Sequence, residues 1–423
     1  MEEVLATGRL SESSDDFPLT PVPKSRDLAW WSIAIMRFGQ FTTLAQLLMG
    51  ATLGYSMGLV PAGIALGIGT LILLAVAIPM GIIGVDTGFA TAKVTRNTGL
   101  GPWGSGVFSL VIGLSVMGWF GVQNGLFAQG IVQLAGLGPE WLWTLIAGLT
   151  VTALVYAGIL AMGWLAYVTV PLFLTMMVMG LSHLIHARHP VMLWHGPGGS
   201  PLGIAAAVTV VVGSFITGAV LSPDMTRFHR NRPDVVKQTV ATFVVGNVLI
   251  AGVGIVFAQW ARSSNLTGAL AAALVGVAGW LLFITSTVKV SDWDIYGAAL
   301  ALVNGLDLLG MRHVRRKTMS VVVGAVGTVA GMLGLVHAFE PFLLIMGVAV
   351  PPVAGIVIID YFYFRRRGGG RDGRLIDQVI AFLAWMVGFG VGLAVPWGIG
   401  ALNSLFAAGI IYSVGRGLLA RLA

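Results

Sequence analysis

Cysteine is absent from the 423-residue chain. That excludes disulfide staples, thiolate metal sites and thiol nucleophiles, and it leaves the compartment unreadable from redox chemistry. Charge is scarce as well: 24 Lys+Arg and 17 Asp+Glu make up only 10% of the residues, against about 25% in an ordinary soluble domain. So few charges cannot solvate the surface of a soluble globule of this length, which argues against a soluble enzyme and against a disordered or fibrous chain. The opening stretch from Met1-Glu2-Glu3 to Asp27 is acidic and polar. It lacks the apolar core of a cleaved signal peptide and reads as a short cytoplasmic tail. Apolar residues are abundant instead, at 57% with a mean hydropathy of +0.90. The implied solvent is a bilayer.

Long apolar runs fall at 28–57, 61–84, 103–134, 140–161, 164–184, 203–222, 238–260, 268–304, 318–337, 341–364, 376–396 and 398–415. Each is long enough to cross the hydrocarbon, which takes about 20 helical residues, so twelve membrane helices are predicted. The basic residues test that count. With the N-terminus in the cytoplasm, 20 of the 24 lysines and arginines fall in inner segments, only Arg188 and Arg262 fall outside, and Arg37 and Lys289 lie within spans. Such a bias is the positive-inside pattern, so the net charge of +7 is a topology signal and not a nucleic-acid footprint. Both termini are therefore expected in the cytoplasm, in a multi-pass plasma (inner) membrane protein.

Polarity inside the spans is concentrated at a few places. The first span is interrupted at Gly39-Gln40 and the threonines Thr42 and Thr43, and the sixth carries Gly213-Ser214 and Thr217-Gly218. They hold equivalent positions in two five-helix halves, and paired interruptions of this kind point to a transporter with inverted repeats and a midplane site; close helix packing through small residues is the competing reading. In the third span Trp119, Gln123 and Phe127 follow i, i+4, i+8 on one face, an aromatic beside an amide, suited to a flat heterocycle or to plain helix packing. The eighth span bears Ser286, Lys289, Asp292, Trp293 and Tyr296 as one polar stripe. Lys289 and Asp292 are spaced for an i, i+3 ion pair, and intramembrane ionisable groups are functional by default. Arg37 is a second unusual charge, with Asp224 as a candidate partner. His183, His186, His189 and His195 are read as an exposed loop and not a metal site, Gly388 to Gly392 as helix packing, and Pro351-Pro352 as a bend in the tenth helix.

Several segments, taken together in order, resemble the cytosine permease branch of the nucleobase–cation symport-1 family. They are Pro21-Val22-Pro23, Gly118-Trp119-Phe120-Gly121-Val122, Val212-Gly213-Ser214-Phe215-Ile216, Asp224 with Arg227-Phe228, Asp292 to Tyr296, and Pro351-Pro352 to Asp360-Tyr361. The resemblance implies an all-α polytopic fold of the leucine-transporter type: a tail over 1–27, a first five-helix repeat over 28–184, a second over 185–364, and two extra helices with a short cytoplasmic C-terminus over 365–423. It implies a secondary transporter of a small nucleobase-like substrate, working by alternating access with a proton or sodium as coupling ion and no other cofactor. Carried over by position, Trp119 and Phe215 would sandwich the substrate, while Ser214, Thr217, Ser286, Gln123 and the opened backbone at Gly39 and Gln40 would meet its polar edge. Lys289, Asp292 and Thr43 would couple the ion.

Departures from the family pattern sharpen the expectation. The amide usual one turn before the stacking tryptophan is Val116 here, and an asparagine of the eighth helix is Ser286. Two hydroxyl positions expected in a sodium site on that helix are Lys289 and Val290. An ammonium can stand where a cation binds, and desolvation lets it release a proton, so sodium independence or proton coupling is expected. A prenyl-transfer enzyme is disfavoured because Asp292 and Asp294 point roughly 200° apart on a helix and the sequence has no second aspartate-rich motif. A channel would need repeated polar rings, which the chain lacks. A transporter-like sensor would share every residue named.

Overall fold

The computed structural model describes residues 21–157, 159–187, 196–199, 201–263, 265–274, 276–308, 310–311, 314–364 and 375–422. Most of the N-terminal tail, His189, His195 and the basic stretch 365–374 lie outside the described residues, as does the side chain of Lys289.

The architecture is all helical. The helices are α1 Trp30–Phe38, α2 Leu44–Met57, α3 Leu59–Thr87, α4 Thr91–Arg96, α5 Gly101–Ala135, α6 Glu140–Ala157, α7 Ile159–Ala187, α8 Ile204–Val220 and α9 Ser222–Thr226. They continue as α10 Arg232–Thr242, α11 Leu249–Ala261, α12 Leu266–Ala273, α13 Val277–Leu308, α14 Arg316–Met332, α15 Phe339–Ala349, α16 Pro351–Ile359, α17 Leu375–Ala394 and α18 Gly400–Leu422. Among the described residues six helices are long and apolar enough to cross a membrane. Large apolar side chains such as Leu71, Leu149, Val168 and Ile410 stand outward at 62–65% exposure, as a lipid-facing surface requires. The chain is a multi-pass membrane protein.

Two packing groups meet at the centre. In one, α2 packs along α11, α8 on α3, and α9 and α10 on the far end of α3. In the other, α5 packs along α13, α14 on α6, and both pairs share a satellite core of Phe120, Val151, Val155, Ile295, Ala298 and Val323. α15 joins the groups by lying on α8, and α16 to α18 flank them.

Two expectations about helix continuity change, and a third holds. The sixth span is not interrupted at Gly213 to Gly218; α8 runs unbroken to Val220, and the interruption is Leu221 alone, before the short α9. Gly213 serves close approach instead: a Cβ there would collide with the Leu343 carbonyl of α15. Ser214 satisfies its hydroxyl within the helix, donating to Val211 O at 2.8 Å. The apolar run 268–304 is two helices, α12 and α13, divided near Gly276, whose φ of +73° is a left-handed value that favours glycine. The tenth helix does change course at its prolines: α15 ends before Val350 and α16 begins with Pro351 and Pro352. Gly388 and Gly392 sit against Ser404 of α18, so that glycine run is a packing face.

Candidate functional site

Between α1 and α2 the chain leaves the helix for residues 39–43. The sequence closes this opening with its own side chains. Thr42 Oγ1 donates to Gly39 O at 2.8 Å, and Thr43 Oγ1 accepts from Gln46 N–H at 3.0 Å as the N-cap of α2, the role threonine fills at helix starts. Thr43 therefore has a capping role in addition to any place near an ion. Gly39 is buried and Gln40 half-buried in this segment.

Arg37, two residues before the opening, is only 1% exposed. Its Nη2 donates to Gly218 O at 2.8 Å and to Ser222 Oγ at 2.7 Å, so it spans the second interruption, between α8 and α9. Ser222 passes the contact on, donating to Ala219 O at 2.6 Å. Nη1 is buried with no hydrogen-bond partner, and the guanidinium carbon lies 4.9 Å from the centre of the Phe243 ring, a cation–π contact. Asp224, the expected partner, does not make a direct ion pair with Arg37; its Oδ1 accepts from Thr91 N–H at 2.7 Å, fixing α9 to α4.

Phe215 projects into this same joint. Phe41, from the opening between α1 and α2, is stacked on it with centroids 3.9 Å apart and planes 20° apart. Phe243 meets both edge-on, at 5.4 Å from Phe41 and 5.3 Å from Phe215. Phe243 opens a π-helical turn, Phe243–Val248, between α10 and α11, a widened geometry often found at functional sites. Asn247 of that turn accepts from Gln46 Nε2 and donates to Thr70 Oγ1 at 2.8 Å, so α2, α3 and the turn share one buried polar chain.

Trp119 on α5 is held by other rings. Phe342 and Phe339 of α15 meet it edge-on at 5.2 Å and 6.0 Å. One turn on, Gln123 is 2% exposed and its Oε1 has no hydrogen-bond partner. One turn back, Ser115 donates to Met346 Sδ at 2.8 Å and lies 3.4 Å from Thr217 Oγ1, so α5, α8 and α15 converge there.

On α13 the predicted polar stripe is divided. Ser286 and Asp292 are buried, at 0% and 1% exposure, and Ser286 donates to Phe283 O at 3.1 Å. Trp293 is exposed and stacks on Tyr296, the ring centroids 6.1 Å apart. The buried side also carries Thr287 and Ser291. The expected Lys289–Asp292 pair lies outside the described residues. A surface cleft of ≈ 290 Å³ lined by Tyr55, Pro197, Ala258 and Gln259 includes none of the expected site residues.

Sequence reasoning missed Arg37's bonds to the second interruption, the Phe41 stack and the Gln46–Asn247–Thr70 chain. The last two join residues about 175–200 positions apart, beyond any local pattern. A phenylalanine inside a glycine- and threonine-bearing break was the one signal available for Phe41.

An interrupted first helix and an interrupted tenth, around a buried aromatic and amide centre in an all-helical membrane bundle, define a transporter-type fold and not an enzyme. The profile of the family described as "Permease for cytosine/purines, uracil, thiamine, allantoin" matches residues 21–398, and the chain belongs to that family. It is 29% identical to the cytosine permease of Escherichia coli strain K12, over 95% of this chain and 94% of that one. Among solved structures it is similar to the inward-facing conformation of Mhp1, with a TM-score of 0.79 at 18% identity over 95% of this chain and 93% of that one. It is also similar to Mhp1, a nucleobase–cation-symport-1 family transporter, in a closed conformation with bromovinylhydantoin bound, with a TM-score of 0.74 at 19% identity over 96% of each chain. A sodium-coupled sialic acid symporter shares the fold more distantly, at a TM-score of 0.62 and 10% identity over 92% of this chain and 90% of that one.

Proposed function

We propose that this chain imports a nucleobase or related planar nitrogen heterocycle, such as a cytosine-like pyrimidine, a purine or a hydantoin, by alternating access. The observation that carries this reading is Gln123. Its buried carbonyl oxygen lacks a partner one helical turn from the Trp119 ring, and an unpaired buried acceptor costs about 1–3 kcal/mol. A flat ring carrying N–H groups would satisfy that acceptor while lying against an aromatic face. Ser214, Thr217, Ser286, Gly39 and Gln40 complete the polar surroundings, with Trp119 and Phe215 as stacking surfaces.

The membrane arrangement that accords with this is twelve crossings. α1 with α2, α8 with α9, α10 with α11, and α15 with α16 each make one crossing, and α3, α5, α6, α7, α13, α14, α17 and α18 make the others. Residues 28–184 and 185–364 would form the two inverted repeats and 365–423 would hold the added pair. The basic bias supports a cytoplasmic position for both termini, with the plasma (inner) membrane as the proposed setting.

Coupling is proposed to be sodium-independent or proton-driven, because Lys289 and Val290 stand where the family resemblance implies two oxygen donors; Asp292 would serve as the acid beside Lys289. The 29% identity to a cytosine permease favours cytosine as the first candidate substrate, and a sodium-coupled cytosine symporter is the second reading. Uptake of cytosine, uracil, a purine and a 5-substituted hydantoin, each at varied sodium and pH, tests both. Saturable uptake of one ring, indifferent to sodium and changing with pH, is expected. Uptake that climbs steeply with a sodium gradient and ignores pH would contradict the coupling. Binding without exchange across the bilayer would make the protein a sensor.

A further inference from the structure

One stacking face of Phe215, the face toward the α1–α2 connection, is covered by the protein's own ring. Phe41 is fully buried and lies parallel to Phe215 at 3.9 Å. Phe215 is half-buried overall; Phe243 stands at 90° to it, and Gly218 lies so close that a Cβ would come within 2.6 Å of its Cε1. The position of Phe41 is shaped for it on every side. Its backbone N–H donates to Phe38 O at 2.9 Å and its carbonyl accepts from Thr43 N–H at 2.8 Å, so the ring's anchor is the short connection between α1 and α2. Opposite, the π-helical turn presents Gly246, where a Cβ would meet Phe41 Cδ2 at 2.7 Å; the missing side chain and the widened turn together make the recess. Four residues before the ring, Arg37 grips Gly218 O and Ser222 Oγ. Stack and grip therefore join the same two interrupted helices.

We propose that Phe41 is a built-in competitor for the substrate's place on Phe215. A planar heterocycle stacks there only when Phe41 leaves, and the return of Phe41 displaces the heterocycle. Phe41 then sets affinity and speeds release. It is a positioning residue that acts through Phe215, and the inference rests on the reading that Phe215 stacks the substrate. The physics is an exchange of one aromatic pair for another. Stacking of Phe41 is a cost that substrate binding has to overcome, so a smaller or non-aromatic residue at 41 lowers that cost. A residue that merely filled space would, on truncation, loosen the site and weaken binding.

The test uses the full chain purified in detergent, with equilibrium binding of radiolabelled cytosine and of a radiolabelled 5-substituted hydantoin. The variants are Phe41→Ala, Phe41→Leu, Phe215→Leu and the double variant Phe41→Ala/Phe215→Leu. Phe41→Ala is expected to bind about two- to tenfold tighter, the equivalent of an aromatic pair's ~0.5–1.5 kcal/mol, and to release its ligand more slowly. Phe41→Leu keeps apolar bulk without a π-face, changes affinity in the same direction, and carries the test if Phe41→Ala does not fold. In the Phe215→Leu background Phe41→Ala should give no gain. Equal or weaker binding by folded Phe41→Ala or Phe41→Leu, with Phe215→Leu weakened, would overturn the inference and leave the substrate reading intact. A gain that persists without Phe215 overturns it too, because the ring would then be acting elsewhere. Unchanged affinity in Phe215→Leu alone overturns the stacking reading beneath it.

Discussion

The first and sixth spans are both interrupted, between α1 and α2 and between α8 and α9, yet the two interruptions are held in different ways. Residues 39–43 form a long opening that is closed from within: Thr42 satisfies the Gly39 carbonyl and Thr43 caps α2. The interruption after α8 is one residue long, and there the Gly218 carbonyl and Ser222 hydroxyl both accept from Arg37 of the other helix, while Ser222 also donates to Ala219 O. The polar groups of the first are satisfied within their own segment, whereas those of the second also take two bonds from a neighbour. A charge buried among aromatic rings is costly unless its donors are used, so the sixth helix supplies acceptors and Phe243 supplies a π-face. The difference teaches where motion is coupled: α1 cannot swing from α8 and α9 without breaking Arg37's bonds.

That asymmetry can be broken experimentally, and the largest effect is expected at Arg37. Arg37→Ala should lower the thermal midpoint by several degrees and abolish uptake, because hydrogen bonds to charged groups carry about 1.5–3 kcal/mol each and two are lost. Thermal unfolding in detergent reads the first outcome, and an unshifted midpoint would show that the two interruptions are independent. Arg37→Lys should be intermediate, since an ammonium cannot reproduce the fork and its stacking on Phe243. Thr43→Val should cost about 1 kcal/mol by removing the cap of α2, read by the same melt; a cost equal to that of Arg37→Ala would erase the contrast. Ser222→Ala removes only one of Arg37's two hydrogen bonds and leaves Nη2 its bond to Gly218 O, so the smallest loss of the series is expected, with uptake retained.

The sequence carries some of this and hides the rest for definite reasons. The interruption at 39–43 is legible because glycine, glutamine and two threonines are poor choices inside an apolar span. The same reasoning misplaces the sixth, where Gly213 provides backbone contact with α15 and Ser214 bonds within its own helix. Small residues for packing and small residues for breakage look alike without knowledge of the neighbour. The division of 268–304 passes unseen because α12 and α13 are both apolar and Gly276 is a slight mark between them. The stripe on α13 is legible as a period, but Trp293 at its edge faces outward, since a helical face of that width spans core and surface. At the site, Trp119 beside Gln123 is legible from i, i+4 spacing. Phe41 is not, because a ring in a non-helical connection has no periodicity to announce its direction.

The central claim is that the chain carries a flat nitrogen heterocycle past Trp119 and Gln123. Its most direct measurement is counterflow in proteoliposomes loaded with unlabelled cytosine, uracil, a purine or a 5-substituted hydantoin, with wild type beside Trp119→Leu and Gln123→Leu. The account predicts accumulation of labelled substrate with at least one of the four rings, and its loss in both variants while each remains folded. Counterflow with none of them, or counterflow undiminished in both variants, would contradict it.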